Sequence, residues 1–337
     1  MTKAFITGCS GTRLSADERR FFDDERPWGL ILFARNIRDA QQIRDLVADF
    51  RDVVGNLDAP VLIDQEGGRV RRLRPPLVQD YPPGAVYGKL HASERDAGLR
   101  AAWLCGRLIG ADLADLGITV DCLPIVDVPR GDTSDVIGDR AYGSDPEVIA
   151  RIGRAMTDGL AAAGVLPVLK HIPGHGPATV DSHLALPVVD TDLETLRRLD
   201  FVPFRALRDL PLAMTAHVVY TAIDSQVCAT CSSTVIDTII RGELDYQGCL
   251  MSDDVSMKAL GGEMQARVRS LFQAGCDLAL HCNGDFAEMR DVASASPVLA
   301  GEPLRRADAA IAARRQGEPM DREALQAEFA ALLAGIV

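Results

Sequence analysis

Residues 165–183 read VLPVLKHIPGHGPATVDSH, and the first seven of these decide the fold. VLPVL is an apolar run without alternation, so a strand made from it has both faces buried. The run ends abruptly in Lys170 and His171, and glycines and prolines follow. A doubly buried strand that ends in polar residues belongs to a parallel sheet covered by helices, with a functional loop at its carboxyl end.

Seven more runs share this character. They are AFITG (4–8), GLILFA (29–34), PVLID (60–64), ITVDCLPIVDV (118–128), LAMTAHVVY (212–220), GCLMSDD (248–254) and LALHCN (278–283). Amphipathic stretches lie between most of them. DAQQIRDLVADFRDVVG closes on Gly55, RDAGLRAAWLCGRLIGADLADLG on Gly117 and DPEVIARIGRAMTDGLAAAG on Gly164. Glycine just past a periodic stretch is a helix stop, and the Asp-Pro that begins the last is a helix start. Strands alternating with helices give parallel βα units. Eight strands of this kind predict an α/β protein closed into a single (β/α)8 TIM-type barrel. The rival, an open doubly wound sheet, wants a glycine fingerprint after the first strand. TGCSGTRLS (7–15) has neither the GxGxxG spacing nor a phosphate-loop lysine. No linker or repeat divides residues 1–337, so one catalytic barrel domain is expected. The Ala- and Arg-rich segment at about 300–337 is expected as extra helices packed outside the barrel.

The 337 residues carry 48 acidic against 36 basic side chains, a net charge of −12. Such a surface repels a phosphate backbone, which argues against a nucleic-acid partner. No uncharged run reaches the length of a membrane span. ITGC (6–9) faintly resembles a lipoprotein cleavage box, but only Ala4 to Ile6 precede it as apolar chain, too little for a signal segment. A cytoplasmic protein is expected, with monomer as the default. The eight cysteines are scattered and read as reduced, buried, small hydrophobes. Cys228 and Cys231 form one CxxC with no second pair at zinc spacing, and are taken as structural or incidental thiols.

Active-site groups of a barrel sit at the carboxyl ends of its strands. Here those ends carry Asp64, Asp127, Lys170 with His171, His217, Asp253 with Asp254, and His281. One polar residue ends any strand; this many imply a polar pocket at one barrel mouth. Asp64 is followed by Gly67-Gly68 and by Arg69, Arg71 and Arg72, and Arg140 lies in a glycine-flanked loop. Carboxylates and guanidinium groups suit hydroxyl-rich ligands, because each makes paired hydrogen bonds. Arg69 and Arg71 read better as surface ion pairs. His171 and His175 have the spacing of a helical HxxxH metal site, but Pro173, Gly174 and Gly176 forbid a helix there, and HExxH and HxH are absent. Asp181 and His183 are two apart, so in extended chain they face one way. The carboxylate then orients the imidazole and raises its basicity, which makes a general acid/base unit on a glycine-rich loop.

KHIPGHG, DSH and MSDDVSM, with IDQEGGRVRR upstream, together resemble the family-three glycoside hydrolases, in their bacterial β-N-acetylhexosaminidase branch of the NagZ type. The resemblance spans residues 28 to about 285 and keeps the family's motif order. It implies a TIM-type barrel, in agreement with the strand count. It implies Asp253 as nucleophile, His183 as general acid/base and Asp181 as its partner. Asp64, Arg72, Arg140, Lys170 and His171 would hold a terminal N-acetylglucosamine. Glu66 and Asp254 would be supporting groups, His175 would shape the loop and His217 would line the pocket. Ile172 stands where the family usually has phenylalanine. No metal or organic cofactor is implied. The substrate would be a muropeptide fragment, N-acetylglucosamine β-linked to anhydro-N-acetylmuramic acid, in peptidoglycan recycling. Some phosphorolysis beside hydrolysis is a subsidiary expectation, since a neutral histidine base repels phosphate less than a carboxylate does. The competing readings are a β-glucosidase of the same family, a metal-dependent barrel hydrolase and a catalytically silent sugar-binding protein.

Overall fold

The computed structural model describes residues 1–131, 137–176, 186–257 and 260–336. Eight parallel strands close into a barrel: β1 (Lys3–Thr7), β2 (Pro27–Leu32), β3 (Val61–Ile63), β4 (Val120–Asp121), β5 (Leu166–Ile172), β6 (Leu212–Thr215), β7 (Cys249–Asp254) and β8 (Leu278–His281). Each hydrogen-bonds its neighbours in sequence, and β8 returns to β1. Every apolar run picked out above contributes one barrel strand.

The run at 118–128 departs most from expectation, because only two of its residues join the ladder as strand. Pro124 has no N–H to give, so the regular pairing ends before it. The chain still follows β5 as irregular backbone: Val168 N donates to the Leu123 carbonyl, Lys170 N to Pro124 and Val126 N to Lys170, at 3.0–3.1 Å.

Strand alternation sorts the core into two. Inward residues (Ala4 and Ile6, Leu62, Leu166 and Val168, Leu212 and Met214, Cys249 and Met251, Leu278 and Leu280) form one cluster filling the barrel. Outward residues such as Phe5, Ile63, Leu169 and Leu250 join a larger cluster under the helices. The helices form where the sequence placed them, at Ala40–Val54, Arg95–Asp115 and Pro146–Ala162. Gly55 caps the first in the left-handed region at φ 67°.

Of the two C-terminal helices, Arg322–Leu333 packs against the outer helix Arg95–Asp115, tied by Arg100 to Glu328 at 2.7 Å and by Arg322 to Asp112. Gly301–Ala312 instead places Ala307 and Ala310 in the barrel-filling cluster with Ala4 and Leu299, so it stoppers the amino-terminal end of the barrel. No described helix is long and apolar enough to cross a membrane.

Candidate active site

The inward parity that fills the barrel with aliphatic side chains continues, at its carboxyl end, into charge. In β3, Leu62 points inward and so does Asp64 just beyond it. In β5 the inward series Leu166, Val168 ends in Lys170, and in β7 Cys249, Met251 ends in Asp253. These three meet at the floor of a cavity of about 280 Å³. The ladder slips by a residue between Lys170 and Ile172 and again between Met251 and Asp254. Such irregularities break the alternation, and His171 and Asp254 line the same cavity beside Lys170 and Asp253.

Five charged side chains form one network across the floor. Lys170 Nζ lies 2.9 Å from Asp64 Oδ1 and 2.8 Å from Glu66 Oε1. Arg72 donates to Asp64 Oδ2 at 2.8 Å, and Arg140 grips Glu66 with two bonds of 2.8 and 2.7 Å. Burial would push the Asp64 carboxyl up, but Lys170 and Arg72 hold it well below the ordinary carboxylate range. Glu66 is lowered likewise, by Arg140 and Lys170 against burial. Lys170 is 2% exposed, yet its two carboxylates raise it above an ordinary lysine despite burial. Phe33 lies beneath this group, with the Arg72 guanidinium 5.0 Å from its ring centroid. Glu66, expected as a supporting group, lines the cavity, and so does Phe33, which the motifs did not point to.

Asp253 and Asp254 are adjacent but differently employed. Asp254 Oδ1 accepts from the backbone N–H of Ser256 and of Cys282 at 3.0 and 3.1 Å, and its Oδ2 accepts from the Ser256 hydroxyl at 2.6 Å. It holds the end of β7 against β8. Asp253 Oδ1 accepts the Asp254 N–H at 2.7 Å, and the carboxylate faces the cavity. Burial works against its charge, but His217, His171 and Lys170 nearby and that N–H keep its carboxyl below the usual value. It is therefore ionised at neutral pH.

The histidines divide by what holds them. Buried Asp127 receives His171 Nδ1 at 2.8 Å and the His175 backbone N–H at 2.6 Å. One carboxylate thus fixes the His171 ring and the start of the glycine loop. Desolvation pulls His175 down to about 4, with the adjacent His171 adding to the shift, so His175 is neutral above that pH. His217 does not line the cavity as expected. It is fully buried, with Nδ1 2.7 Å from Thr230 Oγ1 and Nε2 3.1 Å from the Asp254 carbonyl oxygen. Burial lowers it too, against the opposing pull of Asp253, and Nε2–H donating to that carbonyl braces the backbone behind Asp253. His281 is a second correction. Leu278 and Leu280 point inward, so His281 points outward, where it meets Glu288 at 3.1 Å and Thr7 at 3.5 Å. Arg69 and Arg71 make surface ion pairs with Asp139 and Asp80. Asp181 and His183 lie outside the described residues. Among the described residues no three His, Cys, Asp or Glu side chains are grouped to hold a metal.

Chemically, the cavity offers one ionised, inward-facing carboxylate opposite fixed carboxylate, ammonium and guanidinium groups. That is a nucleophile or base facing a hydroxyl-binding wall.

Comparison with known proteins gives the same direction. The family model described as glycosyl hydrolase family 3 N terminal domain matches residues 7–314. A protein of Alkalilimnicola ehrlichii named beta-hexosaminidase is 41% identical over 288 residues, which cover 82% of this chain and 80% of that one. The crystal structure of native NagZ from Neisseria gonorrhoeae superposes with a TM-score of 0.86 at 29% identity, covering 99% of this chain and 98% of that one. A second structure of NagZ from N. gonorrhoeae, in complex with N-trifluoroacetyl-D-glucosamine, has a TM-score of 0.85 at 28% identity, covering 99% and 97%.

Proposed function

The chain belongs to glycosyl hydrolase family 3 and is a glycoside hydrolase, and from that premise we propose that it removes terminal β-linked N-acetylglucosamine with retention of configuration, using Asp253 as the nucleophile. The observation that carries this reading is the contrast at the end of β7. Asp254 spends its oxygens on three local hydrogen bonds, while Asp253 faces the cavity and stays ionised.

Asp253 attacks the anomeric carbon, and the glycosidic bond breaks as His183 protonates the leaving oxygen. The product of this step is a covalent α-linked glycosyl-aspartate. His183, now neutral, takes a proton from water; that water attacks the same carbon from the face the aglycone left, and the β configuration returns. Asp181 orients His183 for both steps. A histidine whose ordinary pKa is about 6.5 can give and take a proton near neutral pH.

The wall opposite serves the sugar. Arg72, Arg140 and Lys170 against Asp64 and Glu66 leave one net positive charge, which the Asp253 carboxylate balances. That surplus positive charge favours the ionised Asp253 carboxylate until it forms the ester bond. Asp64, Arg72, Arg140, Lys170 and His171 contact the sugar hydroxyls. Their mutual bonds fix their geometry in advance, so little ordering remains to be done on binding.

The natural substrate in this reading is a muropeptide fragment carrying N-acetylglucosamine on anhydro-N-acetylmuramic acid, cleaved in the cytoplasm by a monomer during peptidoglycan recycling. The name beta-hexosaminidase on the A. ehrlichii relative and the glucosamine derivative in the N. gonorrhoeae complex support the N-acetylated sugar. The test is release of nitrophenol from p-nitrophenyl β-N-acetylglucosaminide, with the β-glucoside run beside it, both in EDTA. Release from the N-acetyl substrate alone is expected. Release from the glucoside alone would keep the barrel and the nucleophile but replace the substrate. Loss of turnover in EDTA would favour a metal-dependent hydrolase, and silence on both substrates a sugar-binding protein.

A further inference from the structure

The CATC segment lies behind the active site, at a place neither catalysis nor sugar binding uses. Cys228, Ala229, Thr230 and Cys231 form one turn of 3-10 helix, with Cys231 N donating to the Cys228 carbonyl at 2.9 Å. In such a turn residues i and i+3 eclipse, and three rises of about 2.0 Å separate their Cα atoms by roughly 6 Å. A disulfide needs about 4.4–6.8 Å. The backbone therefore places the two residues within disulfide range, and the turn that carries Thr230 has only to tighten for the bond to close.

The two thiols differ. Cys228 is buried at 4% exposure, whereas Cys231 is half-buried and accepts the Ser270 hydroxyl at 3.2 Å. A hydrogen bond from Cys228 favours the Cys231 thiolate, and Ser270 helps, against the opposing effect of burial. The same bond and burial both disfavour the Cys228 thiolate. The accessible member of the pair is thus the better nucleophile.

Thr230, held between them, begins a chain of hydrogen bonds to the cavity. Its Oγ1 lies 2.7 Å from His217 Nδ1, His217 Nε2 lies 3.1 Å from the Asp254 carbonyl oxygen, and the Asp254 N–H donates to Asp253 at 2.7 Å. We propose that Cys228 and Cys231 are a reversible thiol–disulfide site, and that closing the disulfide displaces Thr230 and so lowers turnover at Asp253 through His217.

The oxidant is a low-molecular-weight disulfide. Cys231 thiolate attacks one of its sulfurs, the S–S bond breaks and one thiol leaves. Cys228 loses its proton to solvent and attacks Cys231 Sγ, which releases the second thiol. Two protein thiols are oxidised and one small disulfide is reduced to two thiols.

This rests on Asp253 as nucleophile, but linkage of the thiols can be read without activity. The reduced full chain is equilibrated across glutathione to glutathione disulfide ratios, then peptide-mapped and assayed on p-nitrophenyl β-N-acetylglucosaminide. We expect a Cys228–Cys231 linked peptide, a fall in kcat of roughly five- to tenfold with KM little changed, as for one displaced buried hydrogen bond, and recovery on dithiothreitol. Cys231→Ser and Cys228→Ala should keep kcat and be insensitive to the oxidant. Thr230→Val should lower kcat with KM little changed whatever the redox ratio. Absence of the linked peptide at every ratio overturns the site. A linked peptide with unchanged kcat overturns its coupling to Asp253, as does equal inhibition of Cys231→Ser. A chain that forms the linked peptide but does not turn over this substrate in either state would instead refute the N-acetylglucosaminidase reading.

Discussion

Replacing Lys170 with methionine removes one cation from between two carboxylates while keeping much of the side-chain volume. Asp64 and Glu66 lose contacts of 2.9 and 2.8 Å, although Arg72 and Arg140 remain. Removing one partner of a buried ion pair costs about 3–5 kcal/mol, because the other is left charged and dry. Unfolding a chain of 337 residues carries an entropy near 0.7 kcal/mol/K, at about 2.1 cal/mol/K per residue. The expected fall in Tm at pH 7 is therefore about 4–7 °C. The pH dependence follows from the sign of the shifts. Asp64 and Glu66 titrate below their unfolded values in the native protein, so their ion pairs stabilise it fully above the carboxylate range and are lost as pH falls through it. Without Lys170 both native values rise. The Tm deficit should be full at pH 7 and shrink as pH falls, where the variant's raised carboxyls take up protons while those of the parent stay ionised. The proposed charged hydrogen bond from Lys170 to a sugar hydroxyl is lost as well, at about 1.5–3 kcal/mol, so kcat/KM should fall roughly ten- to hundredfold. Scanning calorimetry and steady-state kinetics measure both effects. A variant within about 1 °C of the parent at pH 7, with unchanged kcat/KM, would refute the reasoning.

Other substitutions separate neighbouring roles. Asp253→Asn should lower kcat at least about a thousandfold with Tm little changed, whereas Asp254→Asn should lower Tm first, since its oxygens secure Ser256 and Cys282. His183→Ala should cost far more on a poor leaving group than on a dinitrophenyl glycoside, which departs without a proton; equal losses on both would remove His183 as the acid. His175 is depressed from 6.5 to about 4 in the native protein, so between those pH values the unfolded chain takes up the proton and stability drops as the pH is lowered. His175→Gln should flatten that slope by up to about 1.4 kcal/mol per pH unit, seen as a shallower Tm-versus-pH curve from 6.5 to 4.

The barrel was legible because its strands are written as unbroken apolar runs, and the site was legible where it continues their alternation. Leu62 to Asp64, Val168 to Lys170 and Met251 to Asp253 are such continuations. The same rule, applied to Leu278 and Leu280, turns His281 outward, and a plain count of polar strand ends missed this. The ladder slips that bring His171 and Asp254 to the cavity have no local signature. Nor does the pairing of Glu66 with Arg140, which joins positions 74 residues apart, or the double duty of Asp127 toward His171 and His175. These are products of closure, which brings loops from different strands to one mouth. The strand at Val120–Asp121 is shorter than the apolar run at 118–128, because Pro124 cannot extend a ladder and composition alone does not show that stop.

The central claim is a covalent bond from the sugar to Asp253. The most direct test uses His183→Ala with 2,4-dinitrophenyl β-N-acetylglucosaminide, where the first step needs no acid and the second lacks its base, so the intermediate accumulates. Intact mass spectrometry after rapid acid quench should show the chain heavier by one N-acetylhexosaminyl residue, and peptide mapping should place it on Asp253. Turnover with no adduct, or an adduct on Asp254 or Glu66, would contradict the account.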